Sequence, residues 1–244
     1  SCIMSGGSII KTIHELIQKL RQPLYKNSIL LIASTFLGAG TGFIFWIIAA
    51  RLYPAEDVGL ASAAISAMSL INLLSLFGFN VTLVRFIPQM QEKNELINSC
   101  MTISCISALV MSLIFLIGLD FWAPSIIFLR ENKISFILFI LFTISMSLTT
   151  LQRWGFFIGF RRAEYSFIQT VVTFMRIVIL PFLVAYGALG IFTSYGVTAI
   201  LAYILGIFLA SKVYRYKVNF NINIKIIRNL LRYSFGNYIA DIFA

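Results

Sequence analysis

Ionisable side chains inside long apolar runs carry the most chemical information in this sequence. Arg176 is the clearest case, because it lies ten residues after Ser166 and eleven before Gly187 in one apolar segment. A charge near the middle of a bilayer costs about 2.5–3.5 kcal/mol on insertion scales, so it is expected to face a cavity or a partner. Arg176 is therefore predicted either to bind an anionic substrate or to hold helices together through an ion pair or carbonyl contact. Asp241 is one potential partner for such a pair.

Four further side chains are weaker candidates for the same substrate site. Arg51 and Arg153 lie near the ends of apolar runs, where an arginine can also contact lipid headgroups. Asn72 and Gln169 lie within such runs and could line an aqueous path. Polar residues there more often form interhelical hydrogen bonds, worth about 0.6 kcal/mol each. We therefore expect Arg176 to be the main cationic site and these four residues to be secondary.

The sequence contains no recognisable catalytic or metal-binding arrangement. It has nine acidic residues, one histidine and three cysteines, without a Gly-rich phosphate loop or a cluster with metal-ligand spacing. The histidine, His14, falls in an amphipathic segment, and Cys100 and Cys105 lie on different faces of one apolar run. We therefore predict a protein that is not an enzyme, with no catalytic residue, no metal and no bound cofactor.

The overall composition predicts an all-α integral membrane protein. Of 244 residues, 59% are apolar and 11% are charged, whereas a soluble domain has about 25% charged residues. A bilayer core of about 30 Å requires about 20 helical residues. Membrane β-strands would instead show short segments of alternating polarity. Six continuous apolar runs are long enough to span: Ser28–Ala50, Val58–Val84, Asn98–Leu119, Ile134–Ile158, Ser166–Gly187 and Leu189–Ser211.

These runs divide the chain into four parts. Residues 1–27 are predicted to form a cytoplasmic amphipathic arm, 28–211 a six-helix lobe, 212–229 a basic linker helix and 230–244 the start of a seventh helix. Of the 19 Lys and Arg residues, fifteen fall on one side of the spans, three on the other, and Arg176 within. The positive-inside rule then places the N-terminus in the cytoplasm and the chain in the cytoplasmic membrane. The net charge of +10 is thus a topological signal rather than a nucleic-acid-binding surface.

Several short segments carry a family resemblance. The longest is FWIIAARLYPAEDVGL at Phe45–Leu60, and Gly78–Phe79 followed by Leu83–Pro88 comes next. Gly159–Arg162 and then Tyr165 form the last. In their order and spacing, these segments resemble Wzx-type polysaccharide flippases of the MOP superfamily, which also contains MATE drug exporters and peptidoglycan lipid flippases.

The resemblance runs from about Ser28 to Ala244 and implies a particular architecture. Its members consist of two six-helix lobes, related by pseudo-symmetry, around a central cavity that opens alternately to each side. This chain would supply the N-terminal lobe and the start of the second. Because half of the cavity wall would then be missing, we expect the 244-residue chain alone not to transport.

The same resemblance implies a function. It implies a flippase that moves an oligosaccharide linked to polyprenyl diphosphate across the cytoplasmic membrane, for cell-surface polysaccharide biosynthesis. Its partners would be this lipid-linked oligosaccharide, membrane lipids, and either a second lobe or a homodimer partner. Arg176 is the expected cavity cation for the diphosphate.

Three other interpretations stay open at this point. A MATE-type multidrug exporter would carry acidic residues within the first six spans, where this sequence has them only at the ends. A membrane-integral glycosyltransferase or polymerase would need long outer loops with catalytic residues, and the loops here are short. A non-transporting membrane scaffold or truncated product is the third, because the sequence contains a single lobe.

Overall fold

A computed structural model describes residues 23–214 and 216–219, and within these ranges the chain is helical without β-strands. Six helices in this part are long and apolar enough to cross a membrane, which confirms the predicted all-α membrane fold. The predicted seventh helix, and most of the predicted arm and linker helix, lie outside the described residues. The first to sixth spans are Tyr25–Leu52, Ala55–Ser75, Lys93–Ile117, Lys133–Gly159, Ala163–Tyr186 and Ala188–Tyr214.

Four of the spans are single α-helices, and short helices lie between the third and the fourth. The four helices are Pro23–Leu52, Ala55–Ser75, Lys93–Ile117 and Ala188–Tyr214. The short helices are Leu119–Trp122, Pro124–Ile126 and Phe128–Glu131. The connection that contains them lies at the same end of the bundle as Pro54, which we name the Pro54 end. The opposite end, which contains the turn between the fourth and fifth spans, is named the Arg161 end.

The second span ends earlier than predicted. The predicted run Val58–Val84 is divided into the helix Ala55–Ser75 and a separate short helix, Phe79–Phe86. Between them, Phe77 and Gly78 have left-handed backbone conformations, with φ of 47° and 71°. Such a conformation cannot continue an α-helix and is easily adopted by glycine. The predicted end of this span, Val84, is wrong. The prediction was based on an apolar run, and the chain stays apolar through the turn that ends the helix.

The fourth span changes its helical geometry near the Arg161 end. The α-helix Lys133–Leu151 is followed by a π-helical turn, Gln152–Phe156, and a final α-helical turn, Phe157–Gly159. A π-helical turn rotates the residues that follow it relative to a regular α-helix, and such turns are frequent at functional sites.

The fifth span is interrupted in its middle. It consists of the α-helices Ala163–Val172 and Met175–Ile179 and the 3-10 helix Leu180–Tyr186. At the interruption, the Thr173 amide donates to the Thr170 carbonyl at 3.0 Å, three residues back instead of four. In the last segment Pro181 has no amide hydrogen, so it cannot donate the bond of a regular helix.

Hydrogen bonds tie the spans together at both ends of the bundle. At the Pro54 end, the Tyr53 hydroxyl donates to the Leu180 carbonyl at 2.7 Å. There the Asp57 carboxylate also accepts a bond of 3.1 Å from the Ala188 amide, at the start of the sixth span. At the Arg161 end, the Asn27 side-chain amide donates to the Arg161 carbonyl at 2.8 Å. The first and second spans are thereby attached to the fifth and sixth.

Two clusters of buried apolar side chains fill the space between the spans. Because lipid is as apolar as these side chains, they hold helices together mainly through van der Waals contact. A Cβ atom on Gly196 would lie 2.0 Å from the Phe142 ring, so the fourth and sixth spans can pack closely only with glycine there. The larger cluster contains Phe45, Phe139, Phe142, Leu180 and Phe192, and the smaller contains Phe79, Leu83, Leu96, Phe156 and Phe157.

Candidate cationic cavity

A cavity of about 210 Å³ lies inside the bundle, between four of the six spans. Its lining residues are away from the ends of their spans, so the cavity is within the membrane-crossing part of the protein. The first span contributes one glycine to the wall, and the fourth, fifth and sixth spans contribute the rest. The lining residues are Gly38, Met146, Thr149, Thr150, Arg153, Thr173, Arg176, Tyr195, Thr198, Ala199 and Ala202.

Two irregular helical segments carry the two charged residues of this cavity. Arg153 belongs to the π-helical turn of the fourth span. Arg176 follows the interruption at Thr173 in the fifth span. Both side chains line the same cavity. The predicted site residues Arg153 and Arg176 therefore line one cavity, and each lies at or beside a place where its span departs from regular α-helical geometry.

Arg176 is held between two aromatic rings. Its side chain is buried, with 9% of the residue exposed. The guanidinium carbon lies 5.4 Å from the Phe45 ring centroid and 5.0 Å from the Tyr195 ring centroid, within the range of cation–π attraction. A Cβ atom on Gly42 would lie 3.8 Å from Nη2 of Arg176, so the first span passes close to this group.

Arg153 is the second cation of the cavity. Its guanidinium carbon lies 5.4 Å from the ring centroid of Trp154. It is close enough to Arg176 for the two positive charges to repel each other, and the Tyr195 phenol interacts electrostatically with both. The Nε atoms of Arg153 and Arg176 are buried and have no hydrogen-bond partner. A buried N–H donor without an acceptor is unfavourable, so both groups are poised to bind one.

Neither arginine forms an ion pair with a carboxylate among residues 23–214 and 216–219. Three ion pairs within this part of the chain, Lys26–Glu164, Arg162–Glu164 and Arg130–Asp120, lie at the ends of spans or in connections. The predicted potential partner, Asp241, lies outside the described residues. In the described part, the cavity is thus positively charged.

The neutral part of the cavity wall consists mainly of threonines. Each of them already donates its hydroxyl hydrogen to a backbone carbonyl: Thr149 to Ala199, Thr150 to Met146, Thr173 to Thr170 and Thr198 to Tyr195. The guanidinium N–H groups are then the main hydrogen-bond donors that face the cavity. Guanidinium groups bind carboxylate and phosphate oxygens in a bidentate geometry, so this wall suits an anion with several oxygens.

The other predicted site residues lie outside the cavity lining. Asn72 contacts a lining residue but does not line the cavity itself. Its side-chain nitrogen lies 3.4 Å from the hydroxyl oxygen of Thr150. Gln169 is buried and donates to the Gln152 side chain and to the Ala202 carbonyl, both at 3.0 Å. It thus connects the fourth, fifth and sixth spans, as polar residues in spans more often do. Arg51 is exposed in the last turn of the first span.

Sequence reasoning missed the contribution of the sixth span. Tyr195, Thr198, Ala199 and Ala202 all line the cavity, and their spacing places them on one face of a helix. The sequence signal for this face was a tyrosine and a threonine that recur with small residues at helical spacing. It was weak, because the sixth span is apolar on all sides and threonine and alanine are common in membrane helices.

A second hollow, of about 630 Å³, opens at the Arg161 end. It contains carboxylates as well as lysines, and the Glu92 carboxyl has a raised pKa because it hydrogen-bonds to and is repelled by Glu95. Both signs of charge are present, in contrast to the inner cavity. No group of three potential metal ligands occurs among the described residues. The groove is lined by Gln91, Glu92, Lys93, Asn94, Glu95, Asn98, Phe160, Tyr214, Lys217 and Asn219.

Comparison with known proteins gives one match. A family model described as polysaccharide biosynthesis protein matches residues 24–244 of the chain. The matched region contains all six spans and every residue that lines the inner cavity. Neither the curated proteins nor the solved structures give a match to this chain.

Proposed function

Because the chain belongs to the polysaccharide biosynthesis protein family, we propose that it acts as a flippase for a polyprenyl-diphosphate-linked oligosaccharide. The observation that carries this proposal is the cavity within the membrane-crossing part, lined by Arg153 and Arg176 without a carboxylate partner among the described residues. A diphosphate is the charged part of such a lipid. It is also the part that hydrocarbon excludes most strongly.

The chemistry of the cavity suits the diphosphate. Two guanidinium groups offer N–H donors in a fixed planar arrangement that matches phosphate oxygens. In a site of low dielectric constant, these charges attract an anion much more strongly than they would in water. The phosphate would in turn supply acceptors for the buried Nε atoms of Arg153 and Arg176. Binding would therefore satisfy two buried donors that the protein itself leaves without acceptors.

The size of the cavity limits what it holds. A volume of about 210 Å³ lies below the roughly 300–1,000 Å³ of pockets that enclose drug-sized ligands. It accommodates phosphate groups but not an oligosaccharide. We infer that the sugars pass through a wider space beside this lobe, bounded by a second lobe or a homodimer partner, while the prenyl chain stays in lipid.

The proposal includes orientation and mechanism. We propose that the N-terminus is cytoplasmic in the inner cell membrane, because Lys and Arg are concentrated on that side of the spans. The Pro54 end then faces outward. The cavity would open alternately to the two sides through a movement of the lobes, with no chemical change in the cargo. Export of a cationic drug is disfavoured, because Arg153 and Arg176 would repel it.

Transport by the protein in liposomes tests the proposal. The complete protein would be reconstituted with a fluorescent lipid-linked oligosaccharide, and movement between leaflets would be measured by quenching. We expect Arg176→Gln to reduce the rate about 100-fold, since one good charge-assisted contact is worth about 1.5–3 kcal/mol, and Arg176→Lys to retain part of it. Arg51→Gln serves as the control, because Arg51 is exposed and lies outside the cavity lining.

Two results would contradict the proposal. If Arg176→Gln and Arg153→Gln both transport at the rate of the unchanged protein, at equal amounts in the membrane, the cavity does not carry the cargo. If neither the unchanged protein nor the variants move the lipid faster than protein-free liposomes, the chain is not a flippase for this cargo under those conditions, and the scaffold interpretation is favoured.

A further inference from the structure

We propose that the inner cavity binds a small inorganic anion of the chloride class whenever no cargo is present, and that cargo phosphate displaces this anion. The first half of this inference rests on the cavity alone. The second half rests on the proposed function. The site consists of Arg153, Arg176 and Tyr195, which meet at the cavity wall.

The charge balance of the residues that line the cavity leads to this inference. Arginine remains protonated in proteins, so a buried arginine cannot reduce its unfavourable energy by losing a proton. Two guanidinium groups therefore remain positive and repel each other. No carboxylate among the described residues is paired with either of them. A buried charge is normally paired or coordinated, and an anion from solution would supply that pairing in this part of the protein.

The surrounding aromatic rings compensate the charge only in part. The Phe45 and Tyr195 rings face Arg176 at 5.4 Å and 5.0 Å. They act through a quadrupole, which attracts a cation without neutralising it. They also leave one N–H group of each arginine, the buried Nε–H, without an acceptor. One anion between the two guanidinium groups would supply both the missing charge and the missing acceptor.

Two other hollows among the described residues do not offer these conditions. The groove at the Arg161 end contains Glu92 and Glu95 beside its lysines, so its own carboxylates already balance them. A hollow of about 20 Å³ near Gln152 and Tyr203 has no charged residue in its wall. A volume of about 210 Å³ holds a chloride ion with a few waters. The inner cavity is thus the place where an anion would be stabilised.

Thermal unfolding of the complete purified protein tests the inference. The midpoint would be measured in potassium gluconate with increasing potassium chloride at constant ionic strength. A ligand that binds only the folded state raises the midpoint with the logarithm of its concentration above the dissociation constant. We expect such a rise with chloride and bromide, its loss in the variant with Arg153→Gln and Arg176→Gln together, and its persistence in Arg51→Gln.

Inorganic phosphate is the second probe, because it shares the relevant chemistry with chloride. A rise of the midpoint with phosphate but not with chloride, again lost in the double variant, overturns chloride as the resident anion and shows that the cavity binds phosphate itself. The absence of any anion-specific rise overturns the inference, as does an equal rise in the double variant. An absent rise would mean that a carboxylate elsewhere in the chain, such as Asp241, compensates the arginines.

Displacement of chloride by a diphosphate tests the second half of the inference, that cargo phosphate replaces the resident anion. Protein loaded with radioactive chloride would be titrated with a short-chain isoprenyl diphosphate, and we expect the chloride to be released at about one equivalent of bound diphosphate. Retained chloride overturns the exchange step. The outcomes are distinguishable from failure of the proposed function: variants that lose transport, together with no chloride effect in any protein, would leave the flippase proposal standing and remove the resident anion.

Discussion

Several charges at the ends of the spans are paired with opposite charges, whereas the two charges of the inner cavity have no carboxylate partner among the described residues. At the ends, Asp120 and Arg130 form two hydrogen bonds, of 2.5 and 2.7 Å, and Glu164 is paired with Lys26 and Arg162. In the cavity, the wall beside Arg153 and Arg176 contains aromatic rings, hydroxyl groups and small apolar residues, and no carboxylate among the described residues. The charges that are best paired are those to which solvent or lipid headgroups also have access.

This difference separates charges with a structural role from charges that are kept for a ligand. An exposed ion pair contributes little, typically 0–1 kcal/mol, because water solvates the separate ions almost as well. A buried arginine without a partner destabilises the fold. An unpaired charge that destabilises the fold is therefore evidence that the cavity binds a ligand of opposite charge. A paired surface charge gives no such evidence. Four predictions, in order of decreasing effect, test this separation.

Gly206→Leu is expected to have the largest effect, although it changes no charge. A Cβ atom at Gly206 would lie 2.1 Å from Oε1 of Gln152 and 2.3 Å from Nε2 of Gln169. The substitution must separate this buried polar pair, so we expect a loss of about 3–5 kcal/mol of stability, from overpacking and unpaired amides together. Gly59→Leu is the control, since a Cβ atom there has no neighbour within 4 Å. The measurement is the yield and unfolding midpoint of purified protein.

Arg176→Gln is expected to stabilise the protein while it abolishes anion-dependent behaviour. Removal of a buried unpaired charge should raise the free energy of unfolding in gluconate by about 1–3 kcal/mol. Arg130→Gln, which removes a half-buried but paired arginine, should not stabilise. Unfolding by denaturant in detergent micelles measures both. Destabilisation by Arg176→Gln would break the comparison, because it would show that this charge has a structural partner.

Asp57→Ala is expected to weaken the Pro54 end by about 1 kcal/mol, the usual effect of removing a side chain that caps a helix. Its carboxylate accepts the Ala188 amide hydrogen at the start of the sixth span. Asp57→Asn should retain most of the stability, since an amide oxygen also accepts this bond. Glu56→Ala, in the same helical turn but exposed, serves as the control. Equal midpoints for Asp57→Ala and Glu56→Ala would refute the capping role.

The ion pair between Asp120 and Arg130 should have the smallest effect, and it should depend on pH. The hydrogen bond from Arg130, with its positive charge, holds the pKa of Asp120 below its ordinary value of 3.8, against the opposing effect of burial. A carboxyl group with a lowered pKa in the folded state stabilises the protein above the unfolded pKa, and this stabilisation is lost as the pH falls through the folded value. Unfolding midpoints between pH 6 and about 3 should therefore fall slightly more for the unchanged protein than for Asp120→Asn.

Part of the candidate site was predictable from the sequence. A charge in the middle of an apolar run is visible without a structure, and Arg176 was identified in that way. Arg153 was assigned only a secondary role, because its position near the end of a run does not indicate the direction of its side chain. Arg153 belongs to the π-helical turn Gln152–Phe156 and lines the cavity, and no residue pattern in the run predicts this turn. Gln169 was visible as polar, but its partner in the fourth span was not.

The sequence by itself determined the membrane class, the six spans and the location of one buried charge. These properties depend on the transfer of each segment from water to lipid, which is a local quantity that can be summed along the chain. Only the tertiary structure decided that the second span ends at Ser75, that Arg153 and Arg176 share a cavity, and that Tyr195 faces both. Those outcomes depend on backbone geometry at a few turns and on contacts between helices far apart in sequence, and transfer energies contain no information about either.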